Sequence, residues 1–403
     1  MLRVELLYAC AWAGVATVLC FSDTLEDASL DVPHLVRKYG YPLEVHTVWT
    51  NDFYYLTMHR IRCGRDRNSN PNVNRPVVFL MHGLQSSSAD WVVMGPGKGL
   101  AYILAEEGFD VWLGNSRGNV YSRRHLWLDP DSDVDFWKFT WDEIGRLDVP
   151  AMIDYALEKT GKKQLHYIGF SQGTTVFFVM CSMLPKYNEK IISMNALAPV
   201  TYLTNTGNPV DKALTYFSNE ITKTAEFFGV GELPPFPRWF KKAGEMTCRD
   251  DAIVVKEVCY NIVFLFGGWN PDQSNKTMIP VQLGHVPAGA SFRQFTHFAQ
   301  NMRSKKFRRY DHGHVGNIKT YGTWSPPQYD LQEVRAPIHL YYSLSDIRAT
   351  VNDIRRLRYE LPNVKEVIQI PLYSFNHLDF MWAIDAKTLV YDHVIKTMNS
   401  YHI

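Results

Sequence analysis

Ser171 stands at the centre of Gly169-Phe170-Ser171-Gln172-Gly173, a Gly-x-Ser-x-Gly pattern. A serine held between two glycines, where a strand turns sharply into a helix, is lifted clear of the sheet so that its hydroxyl can meet a carbonyl carbon. This is the nucleophile elbow of serine hydrolases. Three fixed residues, each at roughly 7% usage, arise by chance in a chain of this length about one time in ten, so the pattern takes its weight from its flanks. Gln164-Leu165-His166-Tyr167-Ile168 before it is short, apolar and β-prone. Thr174 to Leu184 after it is an apolar run of helical length, stopped by Pro185.

A serine hydroxyl is a poor nucleophile near neutral pH. It needs a base to take its proton and an acid to orient that base. With a nucleophile elbow the chain order is serine, acid, histidine, so both partners are sought downstream of Ser171. His377 follows the apolar run Val364 to Ile370 and a short loop near the C-terminus. His285, His297, His312 and His314 fall in an irregular stretch, and His393 in a closing helix. Asp346 comes directly after the strand-like Ile338 to Tyr342. Asp353 lies deeper in the next helical stretch, Asp330 lies before the strand, and Asp379 is close enough to His377 to brace its loop. The negative oxygen of the intermediate needs backbone N–H donors. One is the residue after the nucleophile, Gln172. The other comes from the loop after an early strand, where His82-Gly83-Leu84-Gln85 follows Val77 to Met81; Leu84 is then the donor and His82 structural.

The surrounding elements are those that such a site requires. Strands are expected at Val45 to Trp49, Tyr54 to Arg62, Pro76 to Met81, Phe109 to Leu113, Gln164 to Ile168, Ile191 to Leu197, Ile338 to Tyr342 and Val364 to Ile370. Helices are expected at Gly97 to Glu107, Asp142 to Lys159, Thr174 to Leu184 and Thr388 to Met398. The alternation points to an α/β fold with a mostly parallel, doubly wound sheet. It breaks at about residues 201–329, a stretch rich in Pro, Gly and aromatics. The expected layout is a core of residues 23–202 and 330–403 with a cap or lid inserted as residues 203–329, over the sheet edge where ligands bind in such folds. Phe227-Phe228 and Pro234-Pro-Phe-Pro-Arg-Trp-Phe240 in the insertion either meet a lipid surface or pack its own small core. The basic run from Arg303 to Arg309 reads as a solvated face, and Asp129 to Asp135 as a polar loop.

The chain has 403 residues, 46% of them hydrophobic and 21% charged, with a formal net charge of +1. That balance gives no reason to expect nucleic acid as a partner. Arg3, the apolar Leu6 to Phe21 and the polar stretch from Ser22 form a signal-peptide layout over residues 1–22, the apolar run being shorter than the ~20 residues of a spanning helix. Secretion is expected, with the lysosome as the alternative. Cys248 and Cys259, close together in one segment, are the expected disulfide in an oxidising compartment, and Cys181 is expected as a buried free thiol. Asn275-Lys276-Thr277 is a glycosylation sequon in a polar stretch, marking Asn275. Asp311-His312-Gly313-His314 lacks further ligands near it in sequence, so no metal is expected there.

Taken together, the strings His82-Gly-Leu84, Gly114-Asn-Ser-Arg-Gly118, Asp142-Glu143 with Asp148-Val-Pro150, Gly169-x-Ser-Gln-Gly-Thr174, Pro287-Ala-Gly289 and Asn376-His-Leu-Asp-Phe380 resemble the acid lipase family of α/β-hydrolases, from about Glu44 to Met398. The resemblance implies hydrolysis of neutral lipid esters at a lipid–water interface, with no metal, cofactor or protein partner. It matches Ser171, Asp346 and His377 to the family's triad, Leu84 and Gln172 to its oxyanion hole, the insertion to its cap and lid, and Cys248–Cys259 to the cap disulfide. The chain departs from the pattern at Phe170, where the gastric and lysosomal members carry histidine, which leaves the reaction in place and an acidic optimum unsupported. The contrasting reading is a lipase-like lipid carrier without catalysis, a class that usually lacks a triad member, whereas all three are present here.

Overall fold

The computed structural model describes residues 26–65, 74–233, 268 and 270–401. The signal-peptide segment, Cys248 and Cys259, and the aromatic stretch from Pro234 to Phe240 lie outside the described residues.

The sheet is built from β1 (Leu43–Trp49), β2 (Tyr54–Ile61), β3 (Val77–Met81), β4 (Asp110–Leu113), β5 (Arg124–His125), β6 (Leu165–Phe170), β7 (Ile191–Leu197), β10 (Ile338–Tyr342) and β11 (Val364–Gln369). Its order is β1-β2-β4-β3-β6-β7-β10-β11, with the short β5 pairing on β2. β2 is antiparallel to β1 and β4, and every pair from β4 through β3, β6, β7 and β10 to β11 is parallel. The central strands need cover on both faces, and their sequences supply it. All residues of β3, β4 and β6 are buried, as side chains mostly apolar on both faces of the pleat allow; the two polar ones are paired, Asp110 with Arg60 and His166 with Ser193 Oγ. The cover includes α1 (Val32–Lys38), α2 (Leu100–Glu106), α3 (Val149–Thr160), α4 (Gln172–Met183) and later α9 (Val351–Glu360) and α10 (Asp392–Asn399).

The expected helix from Asp142 to Lys159 has a different interior. A short α turn, Trp141–Glu143, passes into a π turn, Ile144–Asp148, before α3 begins. Val149 N–H bonds five residues back to Ile144 O. Pro150 offers no N–H with which to continue an α ladder, so the wider turn absorbs the break. Gly145 sits in this turn because a Cβ there would lie 2.6 Å from Val179 Cβ on α4.

Between β7 and β10 the chain leaves the sheet. It forms α5 (Pro209–Phe227), a two-stranded ribbon of β8 (Glu232–Leu233) with β9 (Ala290–Ser291), α6 (Ile279–His285), α7 (Phe292–Ser304) and α8 (Gly313–Tyr321). Trp141 of the core stacks on His297 of α7 with centroids 3.5 Å apart. The basic run is not one solvated face: Arg309 donates to Asp142 of the core at 3.0 Å, and Asp142 also accepts from Arg146 at 2.7 Å and from Tyr329 Oη. Cys181 and Cys63 are buried free thiols. Asn275 caps a short 3-10 turn and accepts from Thr277 Oγ1 at 2.7 Å. Asp129 and Asp133 close their own loop by accepting the N–H groups of Asp131 and Asp129.

Two glycines separate crowding from backbone strain. A Cβ on Gly173 would lie 2.1 Å from Met81 O, whereas Gly161 has φ +65° and open space around it. Gly173→Ala is expected to cost about 3 kcal/mol or more, because the backbones of β3 and α4 must part. Gly161→Ala should cost only about 1 kcal/mol, through its left-handed conformation alone. Chemical denaturation of the two variants measures the contrast, and equal losses would contradict it.

Candidate active site

Met81, Gly169, Phe170, Leu197 and Tyr341 stand in linked registers at the C-terminal ends of β3, β6, β7 and β10. The segments that follow those ends, together with the loop after β11, therefore meet along one sheet edge. Ser171 turns off β6 with φ 51° and ψ −117°, a conformation that side chains rarely adopt. The turn is held by Ser171 N–H on Leu197 O at 3.1 Å and by Thr174 N–H on Ser171 O at 2.9 Å. Thr174 Oγ1 also donates to Ser171 O, at 2.6 Å, and accepts from Val200 N–H at 3.0 Å. Both elbow glycines are dictated by space: a Cβ on Gly169 would lie 2.7 Å from Gly173 O, and one on Gly173 would meet Met81 O.

His377 Nε2 lies 2.8 Å from Ser171 Oγ, and His377 Nδ1 lies 2.8 Å from Asp346 Oδ2 and 3.1 Å from Oδ1. Asp346 and His377 are buried while Ser171 remains partly open. Burial pushes the Asp346 carboxyl up, but the charge and hydrogen bond of His377 and the N–H groups of Arg348 and Ala349 outweigh it, holding the carboxyl below its ordinary range. Nδ1 then carries the proton that faces Asp346, which leaves Nε2 free to accept from Ser171. Asp353 lies on α9, hydrogen-bonded to Asn205. Asp330 caps a 3-10 turn before β10. Asp379 braces the histidine loop, accepting from Asn376 N–H at 2.8 Å and from Asn270 Nδ2 at 2.6 Å. Its carboxyl is pushed up to about 6 by burial, against those two hydrogen bonds.

Gln172 opens α4, and Leu84 lies in the loop after β3, where Gly83 packs against the Phe170 ring and Ser171 Cβ. His82 Nε2 accepts from Ser116 N–H at 3.2 Å, so its proton is on Nδ1, which donates to Gly83 O at 2.7 Å. Asn119 and Asn115 continue this network beneath the loop. Phe170 is buried with its ring 5.1 Å from that of His377, so the elbow presents an apolar face to that imidazole.

Two further connections carry no signal in the sequence. Gln172 Nε2 donates to Gln294 Oε1 on α7 at 2.8 Å. Arg348, whose N–H holds Asp346, sends its guanidinium to Asp211 of α5 in two hydrogen bonds of 2.8 and 3.1 Å. Both partners sit more than a hundred residues away, so neither spacing nor periodicity joins them.

His82 yields a pH-dependent test. Burial pushes its imidazole from 6.5 down to about 4, against the hydrogen bond to Gly83. The folded value lies below the unfolded one. As pH falls through that window the unfolded chain takes a proton that the folded chain refuses, and stability falls with it. A shift of this size is worth about 3 kcal/mol. Between pH 7 and 4.5 the wild type is expected to lose about 2–3 kcal/mol more than His82→Gln in urea denaturation; equal losses in the two proteins would exclude His82 as the source.

The chain matches the alpha/beta hydrolase fold family over residues 76–379 and a partial alpha/beta-hydrolase lipase region over residues 32–95. It is 41% identical over 401 residues to Lipase 3 of Drosophila melanogaster, covering 100% of both chains. It is 38% identical over 377 residues to the gastric triacylglycerol lipase of Homo sapiens, covering 93% of this chain and 92% of that one. A Sulfolobus solfataricus crystal structure, put forward as a lipase, shares the fold with a TM-score of 0.54 at 14% identity, over 86% of this chain and 90% of that one. With a serine elbow on a parallel sheet and kinship along its whole length, the chain belongs to the acid lipase family of α/β-hydrolases and is a lipase.

Proposed function

We propose that the chain hydrolyses carboxylic esters of neutral lipids through an acyl-enzyme on Ser171, with His377 as general base and acid and Asp346 as its orienting partner. The observation that carries this reading is the unbroken relay from Asp346 Oδ2 through His377 to Ser171 Oγ, with both hydrogen bonds at 2.8 Å. Ser171 attacks the ester carbonyl as His377 takes its proton, and Asp346 stabilises the imidazolium. The oxyanion rests on the backbone N–H groups of Leu84 and Gln172, each worth about 3 kcal/mol of transition-state stabilisation. His377 then gives its proton to the leaving alcohol. Water, activated by the same base, frees the acid. Triacylglycerol is the favoured substrate, because relatives of this chain are named gastric triacylglycerol lipases.

Residues 203–329 serve in this reading as the cap and lid over the core of residues 23–202 and 330–403. Support comes from Phe227 and Phe228 at the end of α5, which are 85% and 73% exposed. Two adjacent rings left in water suit contact with a lipid surface. No helix among the described residues is long and apolar enough to cross a membrane. Secretion after removal of residues 1–22, glycosylation at Asn275 and a Cys248–Cys259 disulfide complete the proposal; the lysosome is the alternative destination.

Ser171→Ala is expected to abolish hydrolysis of emulsified triacylglycerol while leaving thermal unfolding within a few degrees of wild type; retained turnover would refute the assignment. Phe227→Ser combined with Phe228→Ser is expected to lower the rate on emulsion about tenfold. Cleavage of a dissolved short-chain ester should be unchanged in that variant. Parallel losses on both substrates would argue against a surface-seeking role.

A further inference from the structure

The residues that begin the second half of the insertion touch both walls of the oxyanion site. On one side, Ala288 N–H donates to Gln85 O at 2.6 Å, next to Leu84 in the loop after β3. Gln85 has φ 57°, so this loop depends on outside contacts to hold its shape. On the other side, Gln294 Oε1 accepts from Gln172 Nε2 at 2.8 Å. Both side chains are 2% exposed. The segment between these two contacts is fixed to the core by Ser291 Oγ, which donates toward Trp137 O and Phe139 O at 2.7 and 2.9 Å and also caps α7. α7 is in turn joined to α5 by Arg293 with Glu226, at 2.6 Å, and by Thr296 with Thr222, whose hydroxyls share a hydrogen bond.

A pair of carboxamides that served packing alone would satisfy all its polar atoms. Gln172 Oε1 is buried and has no hydrogen-bond partner among the described residues. An unsatisfied buried acceptor costs about 1–3 kcal/mol. Among the described residues the Gln172 side chain thus keeps its orientation through a single bond, to Gln294, and that orientation is tied to the first turn of α4 behind the nucleophile.

Building on the Ser171 reading above, we propose that Gln294 is a positioning residue for the oxyanion hole. By accepting from the Gln172 side chain it fixes the backbone N–H of Gln172, while Ala288 in the same segment fixes the loop of Leu84. The two donors are thus set relative to each other by the insertion, not by the sheet alone. The site reaches full strength only with α7 seated on the core.

The test is a double-mutant cycle in the full chain, with a dissolved p-nitrophenyl ester as substrate and a trifluoromethyl ketone whose adduct places an oxyanion in the hole. Removing an oxyanion donor outright costs about 10²–10³ in kcat, so a displaced donor is expected to cost about tenfold. Gln294→Leu should lower kcat by that factor, leave KM within about twofold, and weaken the ketone in proportion to kcat/KM. Gln172→Leu, which keeps its backbone N–H, should show the same loss, and the double variant little more. Gln294→Glu, which retains an acceptor, should recover most of the rate. Unchanged kcat and ketone affinity in Gln294→Leu would overturn the proposal, as would losses that multiply in the double variant. If Gln294→Leu fails to fold, Gln172→Leu and Gln294→Glu decide: a Gln172→Leu enzyme with wild-type kcat and ketone affinity overturns it. Retained turnover in Ser171→Ala would remove the underlying reading and the proposal with it, whereas a Ser171-dependent enzyme indifferent to Gln294 would overturn this inference alone.

Discussion

The backbone of Ser171 is the constraint on which the molecule depends. A non-glycine residue at φ 51° and ψ −117° costs about 1–3 kcal/mol and persists only where its surroundings over-determine it. Here they do so through the Leu197 carbonyl, the Thr174 backbone and hydroxyl, and the close passage of β3 beside Gly173. Each of these holds only if β3, β6 and β7 end at the same level. The parallel register Met81 with Gly169 and Phe170 with Leu197 supplies that level. The strain is thus carried by the whole sheet, and the reward is a hydroxyl raised to where Nε2 of His377 can reach it.

The edge that carries Ser171, Asp346 and His377 is not held by the sheet alone. Arg348 connects the loop of Asp346 to Asp211 on α5, and Arg309 connects the insertion to Asp142 beneath α7. Asp142 shows why such contacts hold. Burial drives its carboxyl upward, yet Arg146, Arg309 and Tyr329 together keep it below its ordinary range. Removing one partner would leave a buried charge short of its hydrogen bonds, which costs more than the intact cluster contributes. Insertion and core are therefore bound by polar contacts that tolerate little substitution, with the Trp141–His297 stack between them.

The parts of this arrangement visible in the sequence are those with a local signature. β7 and β10 have the bounds expected of them, and β6 runs two residues further, because continuous apolar runs between polar breaks have few other solutions. The elbow announces itself through two glycines that space makes obligatory, Gly173 against Met81 O and Gly169 against the backbone of Gly173. Chain order and the ends of the preceding strands point to Asp346 and His377, and the two stand within hydrogen-bond distance of each other. The π turn at Ile144–Asp148 had no such signature, since Pro150 signals a break without saying how a helix accommodates it. In the sequence Arg309 is indistinguishable from its basic neighbours, because charge runs look alike until one member finds a buried carboxylate. Gln172 with Gln294 and Arg348 with Asp211 are products of tertiary folding, and no periodicity encodes them.

Phe170 shows how one side chain changes what the site can respond to. Its ring packs against Gly83 on one side and lies 5.1 Å from the ring of His377 on the other. A histidine in that position would place a titratable ring beside the His377 imidazole; phenylalanine places none there. The pH response of this site is then left to the groups that remain. Asp346, held below its ordinary range, stays ionised well into acid. His82, at about 4, stays neutral over the same span and keeps its acceptor for Ser116 and its donor for Gly83. The Asp346 carboxylate and the hydrogen-bonded loop around His82 are thus both stable against mild acidification, and position 170 adds no titrating group between them.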